Sequence, residues 1–441
     1  MKNILVIGAG RSASSLIRYL LEHSSAEGWK IKVADVSIEL ARQKTVQHAN
    51  AIAIGFDVNN VEQRQAEIKQ ANVVVSMLPA SMHLIVATDC LQFGKHLITA
   101  SYVSKDIAAL DADAKKKGIL FLNEMGLDPG IDHMSAMQII DRIKASGGEL
   151  TAFRSYCGGL VAPESNDNPW GYKFTWNPRN VVLAGQGTAQ YIEDGQYKYI
   201  PYNRLFTQIE NVSVEGYGEF DAYANRDSLS YRQPYGLESI PTMLRGTLRM
   251  KGYCNAWNAF VQLGLTDDTY KIADSNKMTY AQLVEAYLPN GNGSIVHRLS
   301  TFLNETEGSE LMKKIIWLGI LENEKIKISN SSPAEILQEL LERKWKLKEN
   351  DKDMIVMQHK FNYKLNSEEK MITSSLVVKG HDQIYTAMAQ TVGLPMAIAT
   401  KLLLNNRVKS RGVVIPTVKE IYEPVLKELE GLGIKFNEKL V

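Results

Sequence analysis

The sequence predicts an α/β chain that begins with a doubly wound parallel sheet. Three observations carry that prediction: apolar runs alternate with helix-like stretches, a glycine-rich turn follows the first run, and a carboxylate closes the second. The runs fall at residues 4–7, 31–34, 51–54, 73–76, 96–99 and 119–122, with helical patterns at 13–22, 38–47, 61–71, 82–93 and 106–117. Strand, helix, strand at this spacing calls for parallel strands joined by right-handed crossovers. Six such strands complete a dinucleotide-binding (Rossmann) sheet, whose ligand lies along the carboxyl ends.

The loops at those ends carry chemistry. Gly8-Ala9-Gly10-Arg11-Ser12-Ala13 is a G-x-G-x-x-A fingerprint. Gly8 makes the turn, Gly10 admits a pyrophosphate and Ala13 lets helix pack closely on strand. Asp35 lies 25 residues beyond Gly10. A carboxylate there accepts hydrogen bonds from ribose hydroxyls and repels a 2′-phosphate, which favours NAD, with NADP as the alternative; Arg11 pulls the other way. Asp57, Leu78-Pro79, Ser101 and Leu127 are expected along the same cofactor edge.

Composition narrows the class. An apolar fraction of 45% with 22% charged residues suits a globular protein with a sizeable core, and about 150 residues per domain suggests two or three domains. A net charge of +1 with no basic face argues against nucleic acid as a partner. Cys90, Cys157 and Cys254 are few and odd in number, as in a reducing compartment, and a cytoplasmic location is expected. The N-terminal apolar run is a buried strand, not a signal peptide, and no apolar run of about 18 residues suggests a membrane span. Eight scattered histidines, without H-x-x-x-H or C-x-x-C spacing, predict no metal site.

The loop from Asn123 to His133 follows the sixth strand and precedes a helical pattern at 134–145. Gly126 and Pro129 turn the backbone, which gathers Asp128, Asp132 and His133 at a helix N-terminus. From about residue 150 the texture changes. Residues 151–157 alternate like a strand and run into a Gly158-Gly159 turn. The aromatic stretch 163–176 is expected to be an ordered loop over a site. Arg245, Thr247, Arg249 and Lys251 share one strand face, either as solvated surface or, with Arg226, as a grip for carboxylates. Helical patterns at 280–287, 295–304, 310–318 and 333–347 indicate an inserted helical domain. Strands return at 354–363 and 370–379, then helical stretches at 383–391, 397–404 and 417–432.

Ala100-Ser101-Tyr102, Leu127-Asp128-Pro129-Gly130-Ile131-Asp132-His133 and Tyr156-Cys157-Gly158-Gly159-Leu160 together resemble motifs of the glutamate-forming saccharopine dehydrogenase (saccharopine reductase) family. Asn168-Pro169, Tyr172-Lys173-Phe174-Thr175-Trp176, Asn225-Arg226-Asp227-Ser228 and Leu244-Arg245-Gly246-Thr247-Leu248-Arg249 extend the likeness in order through residues 1–255. The resemblance implies three parts. A Rossmann domain at 1–128 would be completed by C-terminal helices at 392–441. An α+β substrate domain with a mixed sheet would span 129–264 and 354–391, with a helical insertion at 265–353. The lysine-ketoglutarate reductase half fused to the animal and plant versions has no counterpart in these 441 residues. The fungal NADPH-dependent pattern, with a basic residue expected near Asp35, is also departed from, which moves the expectation toward NAD.

The resemblance further implies oxidation of saccharopine, a secondary amine with three carboxylates, to glutamate and 2-aminoadipate 6-semialdehyde within lysine metabolism. Arg226 and Arg245 would grip carboxylates, Ser101, Tyr102 and the backbone of Gly246-Thr247 would add neutral hydrogen bonds, and Trp176 would wall the nicotinamide pocket. Asp128, Tyr102 and Cys157 are the candidate acid–base groups, with Asp128 favoured because a carboxylate both anchors an ammonium and accepts its proton. A homodimer is the possible assembly. Two rival readings remain: a related secondary-amine enzyme of the carboxynorspermidine dehydrogenase or homospermidine synthase type, and an NAD(H)-sensing protein without turnover.

Overall fold

The computed structural model describes all 441 residues, Met1–Val441. The chain divides into two compact units. One is formed by Met1–Leu150, Tyr363–Lys370 and Leu376–Lys439, the other by Thr151–Asn362, Met371–Ser375 and Leu440–Val441.

The first unit opens with six strands, β1 (Lys2–Ile7), β2 (Trp29–Asp35), β3 (Ala51–Gly55), β4 (Val73–Ser76), β5 (His96–Thr99) and β6 (Leu120–Leu122). Short β-branched runs such as Val73–Ser76 are buried along their whole length, as a strand covered on both faces must be. The helices between them are α1 (Ser14–Glu27), α2 (Ile38–Thr45), α3 (Val61–Gln70), α4 (His83–Phe93), α5 (Lys105–Ala108) and α6 (Asp111–Lys116), and α7 (Ile131–Ala145) follows β6. Ser37 caps α2, Asn60 caps α3 and Ser104 caps α5, each accepting a backbone N–H of the first turn. The expected helix at 106–117 is two short ones. The sheet order is β3-β2-β1-β4-β5-β6, and every pairing is parallel. The order reverses between β1 and β4, the switch point at which such sheets bind ligands.

The late part of the chain adds more than helices to this sheet. Gly412–Val414 pairs in parallel with β6 as a seventh strand, too short to stand out from sequence. The stretches expected at 383–391 and 397–404 form one helix, Ala387–Leu404, with Pro395 inside it. This helix is long and apolar enough to cross a membrane, and 78% of it is buried in the protein. The sequence reading found no such run because Gln390, Thr391, Gly393 and Pro395 interrupt the apolar pattern. Gly393 lies against the start of α1: a Cβ there would sit 2.8 Å from the Leu16 nitrogen and 3.2 Å from the Ser12 oxygen.

The second sheet is mixed. Its strands are β7 (Glu149–Val161), β8 (Thr188–Glu193), β9 (Gln196–Pro201), β10 (Glu210–Val214), β11 (Gly218–Ala224), β12 (Thr242–Met250), β13 (Asp353–Leu365) and β14 (Glu368–Lys379), with the short strand Asn437–Leu440 at its edge. β12 pairs antiparallel with β11 and parallel with β7. The expected turn at Gly158-Gly159 is absent. β7 runs straight through both glycines, because a Cβ on Gly158 would meet the Leu248 oxygen at 2.5 Å and the site therefore admits no side chain. The helical insertion is present as Tyr280–Tyr287, Ile295–Phe302, Glu310–Leu318 and Pro333–Lys344, with capping boxes at Thr279/Gln282 and Ser332/Glu335.

The aromatic stretch 163–176 is ordered, but much of it is core. Trp170, Tyr172 and Phe174 are buried, with Trp170 stacked on Phe260 at 5.6 Å and edge-on to Trp345 at 5.3 Å. Lys173 is buried between Asp351 at 2.6 Å and Asp167 at 2.8 Å, so its charge is neutralised within the fold.

Two histidines of the first unit are built in as neutral groups. His96 Nδ1 accepts the Leu120 N–H at 3.0 Å, and burial, helped by the Arg411 charge, lowers its pKa from 6.5 to about 4. Burial does the same to His83, also to about 4. Below its ordinary pKa each takes a proton in the unfolded chain that the folded chain refuses until about pH 4, so stability falls as pH drops through that window. The unfolding midpoint in urea is expected to fall from about pH 6.5 toward pH 4, by up to about 1.4 kcal/mol per pH unit for each group, and less steeply in His96→Gln. A second expectation concerns Gly393. Gly393→Ala forces the late helix off α1 and is expected to cost about 1–3 kcal/mol, read by urea unfolding, and to weaken dinucleotide binding in parallel.

Candidate functional site

The glycine loop leaves β1 at Gly8, whose N–H bonds to the Ala34 oxygen at 2.8 Å, and enters α1 through a single turn at Arg11–Ala13. A Cβ on Gly10 would meet nothing within 4 Å, so the loop surface there is open to a pyrophosphate, as the fingerprint requires. Ala13 is buried, Ser12 half-buried and Arg11 exposed with no ion-pair partner. Asp35 ends β2 and binds the loop directly: Oδ2 accepts the Ala9 N–H at 2.7 Å and Oδ1 accepts the Ser37 N–H at 2.9 Å. Its side chain therefore braces the loop. Asp57, after β3, is exposed and accepts the Asn59 N–H at 2.9 Å in a local turn. These residues fit a nicotinamide dinucleotide, which the glycine loop and Asp35 would hold.

Further along the sheet, Leu78 and Pro79 follow β4, and Ser101 and Tyr102 follow β5. Tyr102 is 51% exposed, whereas Ser101 is half-buried. Ser101 Oγ lies 2.7 Å from Nε2 of His83, a buried residue at the start of α4. His83 Nδ1 lies 3.0 Å from Ser76 Oγ, so one imidazole spans the ends of β4 and β5.

The loop after β6 is held by its backbone. Gly126 N–H donates to the Pro129 oxygen at 3.0 Å, Ile131 N–H returns to the Gly126 oxygen at 2.9 Å, and Asp132 N–H donates to the Leu127 oxygen at 3.0 Å. Gly130 has φ 146°, and a Cβ on it would fall 2.1 Å from the Gly126 oxygen, so no other residue fits. Of the three polar groups expected together, Asp132 and His133 are buried in the first turn of α7 and Asp128 is half-buried in the loop before it. Asp132 accepts the Gly130 N–H at 2.6 Å. His133 Nε2 donates to Glu124 Oε2 at 2.8 Å, while Glu124 Oε1 accepts the Val103 N–H at 3.1 Å. Leu127 is 6% exposed, packed in the loop.

In the second unit the structure gathers the predicted substrate residues around β12. Asn225 N–H donates to the Arg245 oxygen at 2.8 Å, and Arg245 N–H donates to Ser228 Oγ at 2.8 Å, which fastens the loop carrying Arg226 to the strand carrying Arg245. Arg226 is exposed. Arg245 is 2% exposed, with its guanidinium 4.2 Å from the Tyr231 ring centre. Arg245 and Arg249 of the cation row are thus buried, whereas Lys251 is exposed. Arg249 is enclosed by Tyr172, Tyr223 and Tyr253 with ring centres at 5.3, 5.7 and 5.5 Å, and Lys251 lies beyond the strand end. Gly246 and Thr247 lie on β12 between β11 and β7, Gly246 at the last position paired with β11. Thr247 Oγ donates to Asn225 Oδ1 at 2.6 Å. Cys157 is buried beside Thr247 on β7, and Trp176 is half-buried.

His83 and Glu124 were missed by sequence reasoning. His83 follows the Leu78-Pro79 turn on what reads as an ordinary helix, and Glu124 lies in the Asn123–His133 loop without a turn or helix-start signal of its own; a lone His or Glu carries no spacing signal.

Comparison with known proteins agrees with this arrangement. Residues 4–122 match the family model described as the saccharopine dehydrogenase NADP binding domain, and residues 126–434 match the saccharopine dehydrogenase C-terminal domain. The chain is 34% identical over 451 aligned positions to saccharopine dehydrogenase [NADP(+), L-glutamate-forming] of Pyricularia oryzae, covering 100% of this chain and 99% of that protein. The solved apo structure of saccharopine dehydrogenase (L-Glu forming) from Saccharomyces cerevisiae superposes with a TM-score of 0.90 at 32% identity, covering 100% of both chains. Homospermidine synthase from Legionella pneumophila, solved with NAD, reaches a TM-score of 0.58 at 10% identity over 100% of this chain and 91% of that one, which shows a shared fold alone. With both parts of the chain matched and the full length aligned, the chain belongs to the saccharopine dehydrogenase family.

Proposed function

We propose that the chain oxidises saccharopine, with NAD(P)+ and water, to L-glutamate and L-2-aminoadipate 6-semialdehyde. The observation that carries this reading is the end-to-end identity of 34% with an L-glutamate-forming enzyme. The chemistry a bound dinucleotide supplies is acceptance of a hydride from the lysine-derived carbon beside the secondary amine. Asp128, half-buried on a rigid loop, anchors the substrate ammonium and takes its proton before the C–H bond breaks. Once it has released that proton to solvent, the same carboxylate serves as base for the water that adds to the imine carbon, and the proton it takes from that water goes to the amine nitrogen that leaves. Collapse of the resulting carbinolamine frees glutamate. Tyr102 and Cys157 are the remaining titratable candidates, the first exposed and the second buried. Arg226 and Arg245 suit a substrate with three carboxylates, because guanidinium groups bind carboxylates bidentately and keep their charge when buried. Ser101 and Tyr102 add neutral hydrogen bonds, and Trp176 walls the nicotinamide side.

The relatives are named for NADP(+), and the matched domain is described as NADP binding. In this chain the Asp35 carboxylate at the end of β2 favours NAD, with NADP as the second cofactor. A cytoplasmic location accords with three free, buried cysteines, and a homodimer is the assembly to test.

The reaction is tested by incubating the protein with saccharopine and either dinucleotide while following reduced-nicotinamide absorbance and glutamate. Both products should appear, faster with NAD; faster turnover with NADP would reverse the cofactor preference, and no turnover with either would sink the reading. Asp128→Asn should lower kcat by about a hundredfold or more with dinucleotide affinity unchanged. Arg226→Gln should raise KM for saccharopine by about tenfold or more, and an unchanged KM would remove Arg226 from substrate binding.

A further inference from the structure

Arg249, near the end of β12, is a buried cation without an ion-pair partner. It is 3% exposed, its one hydrogen bond runs from Nη1 to the Leu248 oxygen at 3.0 Å, and its Nε is buried with no acceptor. The carboxylate opposite it on β11, Asp221, is engaged elsewhere. Its Oδ2 accepts the Gly252 and Cys254 N–H groups at 2.9 and 3.1 Å, where the helix Tyr253–Gln262 begins. The guanidinium is enclosed instead by the rings of Tyr172, Tyr223 and Tyr253. None of these supplies a negative charge. Burial raises the pKa of each phenol, and of the nearby Cys254 thiol, above its ordinary value, so all four are neutral at neutral pH. A charge taken out of water is costly unless it is paired and hydrogen-bonded, and ring faces offset only part of that cost.

The Tyr172 hydroxyl has the same need. Its oxygen is buried and its proton meets no acceptor. Trp176, the side chain that approaches it, brings an N–H donor only. Two buried donors of one cluster, one of them charged, thus lack the same thing, a negatively charged acceptor. We propose that Arg249 and the Tyr172 hydroxyl form a small-anion site, filled by a carboxylate of the bound substrate or by a halide ion from solution. A guanidinium keeps its charge when buried and presents its donors as a fixed fork, which suits either anion. The spacing along β12 favours the carboxylate. Arg245 and Arg249 share one strand face four residues apart, about 13 Å. The two outermost carboxylates of saccharopine are separated by ten bonds, about 12 Å when extended. This source rests on the proposed substrate, and gives its third carboxylate a third arginine; the halide source does not depend on it.

Two measurements on the full chain test the site and separate the sources. In the first, the thermal midpoint of the ligand-free protein is followed as chloride replaces gluconate at constant ionic strength, from about 5 to about 500 mM. A halide in the site raises the midpoint by about 2 °C or more, and Arg249→Gln abolishes the rise. In the second, kcat/KM is measured for saccharopine and for its three monocarboxamides. With a substrate carboxylate in the site, Arg249→Gln costs about tenfold or more on saccharopine but less than about twofold on one of the amides, the one that lacks the carboxylate Arg249 holds. Tyr172→Phe keeps the ring and removes only the hydroxyl. It should weaken whichever effect is found by about threefold or more, and it replaces Arg249→Gln in both measurements if that variant does not fold. No chloride effect that depends on these residues, together with equal losses on saccharopine and all three amides, would overturn the proposal and leave Arg249 a cation held by ring faces. If the parent does not turn over saccharopine, the reading of the substrate falls, and the chloride series alone decides for or against the site.

Discussion

A buried carboxylate organises the loops of the first unit. Glu124 is 4% exposed, and a carboxyl group so enclosed must be hydrogen-bonded or it destabilises the fold by about 1–3 kcal/mol. Its oxygens meet the Val103 N–H and the His133 imidazole, and its own N–H donates to the Ser101 oxygen at 3.1 Å. The loop after β5, the loop after β6 and the first turn of α7 therefore share one anchor. Glu124 adopts φ 57°, a backbone region that costs a non-glycine residue energy and persists only where the surroundings determine it. Ser101, Tyr102 and Asp128 all lie on segments tied to this side chain. Their relative placement follows from satisfying this one buried carboxyl group, together with the backbone bonds within the loop after β6.

The same logic recurs along the sheet edge. Asp35 ties the glycine loop to β2, His83 ties β4 to the loop after β5, and Glu124 ties that loop to the next. Successive strand ends are thus cross-linked by side chains whose polar atoms would be costly to bury unpaired. The late helix Ala387–Leu404 closes the arrangement from below, with Gly393 allowing its backbone within van der Waals distance of α1. Residues late in the chain thereby hold the glycine-rich turn in place.

Much of this was legible in the sequence because the underlying signals are local. Six strands of the parallel sheet and its glycine loop follow from apolar runs and spacing, and the helices of the insertion from their periodicity and caps. What stayed hidden depends on distant partners. Gly412–Val414 is three residues long and becomes a strand only because β6 offers an unpaired edge. Gly158-Gly159 resembles a turn until β12 is seen pressing on it. The cations of β12 look alike in sequence. Tertiary packing separates them, placing Arg249 among three tyrosine rings and Arg245 against Tyr231. Trp170 and Tyr172 read as loop residues for the same reason, since their partners Trp257, Phe260 and Trp345 lie far along the chain.

The double duty of Asp35 bears on how cofactor preference is built. A carboxylate that only faced the ribose could be exchanged for a neutral or basic residue with an effect confined to the 2′ position. Here one oxygen accepts the Ala9 N–H within the loop and the other accepts the Ser37 N–H that begins the approach to α2. Removing it leaves the Ala9 amide, in a fully buried residue, without its acceptor, at a cost of about 1–3 kcal/mol. Any replacement at position 35 therefore has to supply a new acceptor for Ala9 if the glycine loop is to keep its shape.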